Sequence, residues 1–231
     1  MKQKNRFDKI ILNIPHDSHV FPMGSRSEWK GLSESDIEKW TDSYTYYLFD
    51  SRLDGIDRVV FPYSRFYCDV ERLENDPLEK EGRGIIYTKF NDAVRAPVTD
   101  EEREEIMWLY NDHKKKVLDL IDSDRCLVID CHSFPNDLSD VDICIGFNDD
   151  WSKPDQEVID LICDYFTNHG YKVGINEPFS NSYSPESEHK YKSVMIEVNK
   201  RVYLSKDGGL DGFFYKKNAL IQRLYMKLLD I

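Results

Sequence analysis

Residues 125–135 read RCLVIDCHSFP, and the fold turns on how this stretch is read. Cys126, Leu127, Val128 and Ile129 form a short run that is apolar on both faces and partly β-branched. Such a run suits a strand buried inside a sheet. It ends in Asp130, Cys131, His132 and Ser133, four polar or reactive side chains in succession. Open α/β sheets place ligands at the carboxyl ends of such strands, and period-two alternation sets Asp130 and His132 on one face. By itself the stretch also admits a plainer reading, a loop start with Asp130 as a cap and His132 half exposed. The choice depends on whether other strands end the same way.

Other strands do. KIILNI (9–14) leads directly into Pro15, His16, Asp17, Ser18 and His19, and proline, lacking an N–H, tends to end a strand. The run over 171–175 ends in Asn176, Glu177 and Pro178. SVMIEV (193–198) carries one charge, Glu197, which is costly in a buried strand unless paired, protonated or facing a cleft. Two readings of Glu197 stand: an ion pair with Lys200 or Arg201, or a general base at the sheet edge. Further strands are expected over 58–62, 66–70, 85–88 and 142–147.

Helices are expected between these runs. Ser33 or Ser35 caps one over 36–52, with Asp42 inside it. Thr99 with Glu102 forms a capping box for a helix over 100–122. Pro154 suits the first turn of another, which stops at His169 and Gly170, and an amphipathic helix runs over 212–229. The alternation implies an α/β fold: a mostly parallel mixed sheet with helices on both faces. With no internal repeat and no linker, the chain reads as a single domain over 1–231, large enough to bury a full core.

Lysine and arginine number 31 against 43 aspartates and glutamates, a formal charge of −12, which argues against a broad nucleic-acid surface. It leaves room for a small anionic substrate gripped by one or two arginines. The five cysteines (Cys68, Cys126, Cys131, Cys144, Cys163) include no CxxC pair, so no thiolate zinc site is expected. The start, MKQKNRFDK, is charged and shows no secretory signal, and no apolar run approaches about 18 residues, so no membrane span is expected. The expectation is a cytoplasmic protein in a reducing environment. Two histidines and an acid are the minimum ligand set of an open catalytic zinc site. The absence of HExxH excludes its helix-borne protease form.

Eight segments in order, IPHDSHVFP (14–22), TDSYTYYLFD (41–50), SRFYCDVERLENDPLE (64–79), GRGIIYTK (82–89), DCHSFP (130–135), DICIGF (142–147), NEPFSNSYSP (176–185) and SVMIEVNKRVYL (193–204), resemble the N-formylglutamate amidohydrolase family. The resemblance implies a phosphorylase/hydrolase-like fold similar to the zinc carboxypeptidases. It also implies a hydrolase using zinc or another divalent metal on a small N-acyl amino acid such as N-formylglutamate. Carried over residue by residue, it makes His16 and His132 the histidine ligands. Asp42 becomes the acidic ligand, with His19, Asp17 and Asp130 as rivals; Asp130 instead orients a ligand histidine in a second reading. Glu197 takes the place of the catalytic carboxylate. Arg72 and Arg65 grip the substrate carboxylate, one of the two facing the oxyanion, and Thr88, Asn176 and Ser180 line the pocket. The chain departs from the family at Ser43, where tryptophan is common, at Asn181, commonly glycine, and at Arg83 within a Gly-Met-Gly. Alternatives are a carboxypeptidase or deacylase acting on other amidated acids, and a binding protein that keeps the pocket without turnover.

Overall fold

Apolar runs bounded by polar turns become strands, and the capped amphipathic stretches between them become helices. The computed structural model describes residues 7–229; most of the charged start from which the absence of a secretory signal was read lies outside the described residues. In order, the elements are β1 (Lys9–Ile14), β2 (Trp29–Lys30), α1 (Glu34–Trp40), α2 (Thr45–Phe49), β3 (Ile56–Val60), β4 (Lys89–Phe90), β5 (Ala93–Arg95), α3 (Asp100–Leu120), β6 (Cys126–Phe134), β7 (Ile143–Gly146), α4 (Gln156–Asn168), β8 (Val173–Ile175), β9 (Lys192–Asn199) and α5 (Phe214–Leu229).

The main sheet has the strand order β3-β1-β6-β9-β7-β8. From β3 to β9 the neighbours are parallel; β7 is antiparallel to β9, and β8 is parallel to β7. One sheet face is wholly apolar. Ile10, Leu12 and Ile14 of β1, Leu127, Ile129 and Cys131 of β6, and Val194, Ile196 and Val198 of β9 pack there against α2, α4 and α5. Each such aliphatic side chain contributes roughly 1.5–3 kcal/mol on burial. On the opposite face, α3 covers the lower half through Val117 against Ile11 and Val128. The upper half of that face carries Asn13, Asp130, His132 and Glu197, and the segments over 61–90 and 177–191 close over it.

A second, antiparallel sheet, β2-β5-β4, lies under the 61–90 segment. Arg95 of β5 is buried at 4% exposure. It ties this sheet to Glu28 (2.9 Å), Glu102 (2.6 Å) and the Tyr67 carbonyl (3.2 Å). A packed set of Trp29, Ile37, Phe66, Tyr87 and Phe90 fills the space between.

Three expectations are corrected. The helix foreseen over 36–52 is two short helices. Ser33 caps α1 through a capping box, but the Asp42 N–H leaves the helical ladder to donate to the His16 carbonyl (2.9 Å), and Tyr44 adopts φ 68°. A left-handed residue cannot continue a right-handed helix. The strand foreseen over 66–70 is a series of turns, closed by Tyr67 N–H and Cys68 N–H on the Ser64 carbonyl. The strand foreseen over 85–88 is a bend with a single bridge, Arg83 to Tyr87.

Candidate active site

Pro15 ends β1, and His16 emerges beside the end of β6, buried at 2% exposure. Its Nε2 lies 2.9 Å from Asp69 Oδ1. Its Nδ1 is buried, without a hydrogen-bond partner among the described residues, and 3.5 Å from Glu71 Oε2. Burial and the Arg65 guanidinium lower this imidazole to about 4 despite Asp69, so it is neutral at pH 7.

His132 stands one strand away, its ring centroid 5.1 Å from that of His16. Its Nδ1 lies 2.9 Å from Asp42 Oδ2, and its Nε2 lies 2.8 Å from Glu71 Oε1 and 3.2 Å from Asp130 Oδ1. Burial alone would lower its pKa, but the Glu71 and Asp130 carboxylates prevail and raise it. His16, Glu71 and His132 therefore each offer a ligand atom, all within 4.8 Å of one another. Behind each imidazole, a carboxylate on the other ring nitrogen fixes its orientation, an arrangement that metal-binding histidines share.

The third member of this group is Glu71, not the Asp42 expected from the resemblance. The reason is the break between α1 and α2. It turns the Asp42 side chain behind His132, where Oδ2 takes the Nδ1 bond and Oδ1 accepts from Ser133 Oγ at 3.3 Å, leaving Oδ2 3.9 Å from His16 Nδ1. Glu71 sits on the turn after Asp69, its N–H donating to Asp69 Oδ1 at 3.2 Å. Asp69 is fully buried. Its N–H donates to the Ile85 carbonyl, and Oδ2 accepts from Tyr87 Oη (2.8 Å) and Arg65 Nη2 (2.9 Å). Burial opposes its ionisation, but Arg65, His16 and Arg72 hold it well below the usual carboxylate range. Sequence reading gave Asp69 and Glu71 no role; the signal available was the acid pair inside Asp-Val-Glu-Arg.

Arg65 and Arg72 reach this cluster, both turned onto Asp69, with Arg72 Nε 3.4 Å from Oδ2. Glu197 pairs in register with His132 across β6 and β9. It is 8% exposed, and its buried Oε2 has no hydrogen-bond partner among the described residues. Burial raises its carboxyl to about 8 against the pull of His132. Among the described residues it makes no ion pair with Lys200, whose Nζ instead donates to the Glu38, Lys39 and Thr41 carbonyls at the end of α1.

Three expected pocket residues lie apart from the cluster. Thr88 is exposed and tied by its backbone to Gly82 and Arg95; its neighbour Tyr87 is the residue that points inward. Asn176 is exposed in a left-handed turn after β8, with Oδ1 accepting from Phe147 N–H at 2.9 Å. Because β8 runs against β6 and β9, its carboxyl end leads away from theirs. Ser180 is exposed on the loop that follows. Of the other acid-ligand rivals, His19 Nε2 pairs with Ser43 Oγ at 2.8 Å. His19, Ser43 and Asp17 line a cleft of about 930 Å3 with Tyr44 and Lys200, and no member of the cluster lines it.

Fold and cluster together define an α/β protein with a buried carboxylate–histidine centre at the ends of its parallel strands. The family model for N-formylglutamate amidohydrolase matches residues 8–204, and the chain belongs to this family of linear-amide hydrolases. A crystal structure of an N-formylglutamate amidohydrolase from Ralstonia eutropha JMP134 superposes with a TM-score of 0.77 at 16% identity, covering 99% of this chain and 94% of that one. A gene product from Agrobacterium tumefaciens superposes with a TM-score of 0.69 at 17% identity, covering 97% and 92%. Both likenesses are of fold. No curated protein matches the chain by sequence.

Proposed function

We propose that the protein hydrolyses the N-acyl amide bond of a small N-acyl amino acid, with N-formylglutamate the first candidate, at a divalent-metal centre of His16, Glu71 and His132. The observation that carries this reading is the unpartnered, buried His16 Nδ1 aimed at the same carboxylate that His132 Nε2 meets. The donor set fits a metal of the zinc kind: two imidazoles oriented from behind, borderline nitrogen donors, and one carboxylate, a hard oxygen donor that zinc also takes. The crowding of carboxyl groups supports it too. Asp42, Asp69, Glu71, Asp130 and Glu197 are buried or nearly buried around the two imidazoles, and burial raises Glu71 and Glu197 to about 8, a protonation that a bound cation would relieve. A bound divalent ion would supply Lewis acidity, lowering the pKa of a water and polarising the acyl oxygen.

The chain's own residues supply the rest. Glu197 takes the proton of the attacking water at a carboxylate oxygen and passes it to the departing amine nitrogen. Its raised pKa suits both halves of that transfer. Asp42 and Asp69 hold His132 and His16 in a fixed tautomer and orientation. Arg65 and Arg72 outnumber the single Asp69 carboxylate on which both rest, so positive charge remains for the oxyanion and for a substrate carboxylate. The five cysteines are free, and among the described residues no helix is long and apolar enough to cross a membrane. Free thiols fit a reducing compartment, and we assign the enzyme to the cytoplasm.

The test is metal analysis of purified protein, with turnover measured on N-formyl, N-acetyl and longer N-acyl amino acids after chelation and zinc add-back. Stoichiometric metal and zinc-restored hydrolysis, greatest for an N-formyl acidic amino acid, are expected. Metal-loaded protein inert across the panel would falsify the reading.

A further inference from the structure

His113, on the inner side of α3, is 2% exposed, and none of the roles above uses it. Its Nε2 lies 2.8 Å from Asn13 Oδ1 on β1, and Asn13 Nδ2 lies 2.8 Å from Asp130 Oδ1 on β6. Asp130 Oδ1 is in turn 3.2 Å from His132 Nε2, the nitrogen that meets Glu71. Four buried polar side chains thus form one line across three elements. The direction of each bond is fixed by chemistry. A carboxylate only accepts, so Asn13 turns its NH2 to Asp130 and its oxygen to His113, which must carry its proton on Nε2. Burial lowers the His113 imidazole to about 3, which keeps the ring neutral. The Phe61 and Tyr183 rings flank it at 5.6 and 6.4 Å. The other oxygen of Asp130 accepts the Tyr183 N–H at 2.9 Å, so the carboxylate is held at both ends.

A β1 position in the middle of a sheet, otherwise flanked by isoleucines and leucine, would pack more simply with an aliphatic side chain. Buried polar residues at Asn13 and His113 are stabilising only as a completed network. The network ends at the reactive group.

We propose that His113 and Asn13 are positioning residues, and that the His113–Asn13–Asp130 chain fixes the Asp130 carboxylate so that His132 Nε2 and Glu71 keep their mutual geometry. The proposal rests on the reading of His132 and Glu71 as part of the reactive centre. Released from Asn13, Asp130 is close enough to His132 Nε2 to compete with Glu71 for it.

The test joins spectroscopy of the wild-type protein to two variants. In histidine-nitrogen NMR of the wild type, His113 is expected as the neutral Nε2–H tautomer, with signals that move when zinc is added. An Nδ1–H tautomer, or signals indifferent to bound zinc, overturns the proposal without any variant having to fold. His113→Phe is expected to lower kcat and zinc retention against a chelator by about ten- to a hundredfold, the usual cost of losing an outer partner of a metal site, while KM stays near the wild-type value. His113→Gln, whose amide nitrogen replaces the Nε2 donor, is expected to recover most of both. A His113→Phe enzyme as fast as wild type, or a His113→Gln enzyme no better than His113→Phe, overturns the chain. Wild-type protein that neither binds zinc nor hydrolyses N-acyl amino acids sinks the hydrolase reading instead, so the two failures are told apart.

Discussion

Strand β6 presents the same nine buried residues to two different surroundings. Toward α4 and α5, Leu127, Ile129 and Cys131 pack in the hydrophobic core, where the Cys131 thiol finds its hydrogen-bond acceptor in the strand's own Ile129 carbonyl. Toward α3 and the 61–90 segment, Asp130 and His132 meet oxygen and nitrogen: Asn13, Glu71, Asp42 and the Tyr183 N–H. Burial is equal on the two faces, so burial does not distinguish a core residue from a site residue. The chemistry of the neighbours does. Ion pairs taken out of water often fail to recover their desolvation cost, so the apolar face stabilises the sheet while the polar face strains it. The two faces should therefore answer mutation differently, one in stability and the other in turnover.

The sharpest break is within the polar face. Glu71→Gln keeps the shape of the side chain and removes the charge of the proposed ligand. It is expected to abolish zinc retention and to reduce kcat/KM by about a thousandfold or more, removing the centre that generates the nucleophile. On the proposed assignment Asp42→Asn leaves the three ligand atoms in place and disturbs only the orientation of His132, with an expected loss of about ten- to a hundredfold in metal affinity or activity. Zinc titration and kinetics on the two variants compare them directly. If Asp42→Asn proves as severe as Glu71→Gln, the acid nearest the metal is Asp42 and the geometry around Glu71 has been misread.

Ile129→Ala tests the other face of the same strand. Ile129 is fully buried among α4, α5 and β9, and truncating such a side chain costs about 2–5 kcal/mol. Chemical denaturation should show that loss, while kcat measured well below the new melting temperature stays near wild type. A collapse of kcat in the folded variant would mean that the two faces are coupled and the contrast between them is false.

The apolar face was legible in the sequence because it follows strand periodicity. Residues 9–14, 125–132 and 193–198 announce buried strands, and His16, His132 and Glu197 stand at or near their carboxyl ends. The rest of the site was illegible for a physical reason. Asp69 and Glu71 lie on turns with no repeating pattern, shaped by contacts with Ile85 and Tyr87, which are distant in sequence, as well as with nearby Arg65. Asp42 was legible as a residue near His132 but not in the direction its side chain takes. Nothing local announces the left-handed Tyr44 that breaks the helix and turns Asp42 behind His132. Strands of two or three residues, such as β2, β4 and β5, are too short to show alternation at all.

The smallest effect expected is also the one that isolates the strain of the polar face. The Glu197 carboxyl titrates at about 8 in the folded protein and near 4.3 in an unfolded chain. Between those values the folded state holds a proton that the unfolded state has lost. Stability is then fully present below the lower value, declines as pH rises, and levels off above the upper one. Glu71, raised to about 8 by burial and Asp130, adds to the same decline. Asp130, depressed to about 2, acts in the opposite sense and only at acid pH. Glu197→Gln cannot ionise, so its contribution to the decline disappears. Melting of the metal-free proteins should show Glu197→Gln equal to wild type near pH 4 and several degrees more stable at pH 9, with a shallower slope between, although the same variant retains zinc and loses turnover. Parallel melting curves at all pH values would mean that Glu197 is solvated or ion-paired, and would remove it from the strained face and from the proton transfer assigned to it.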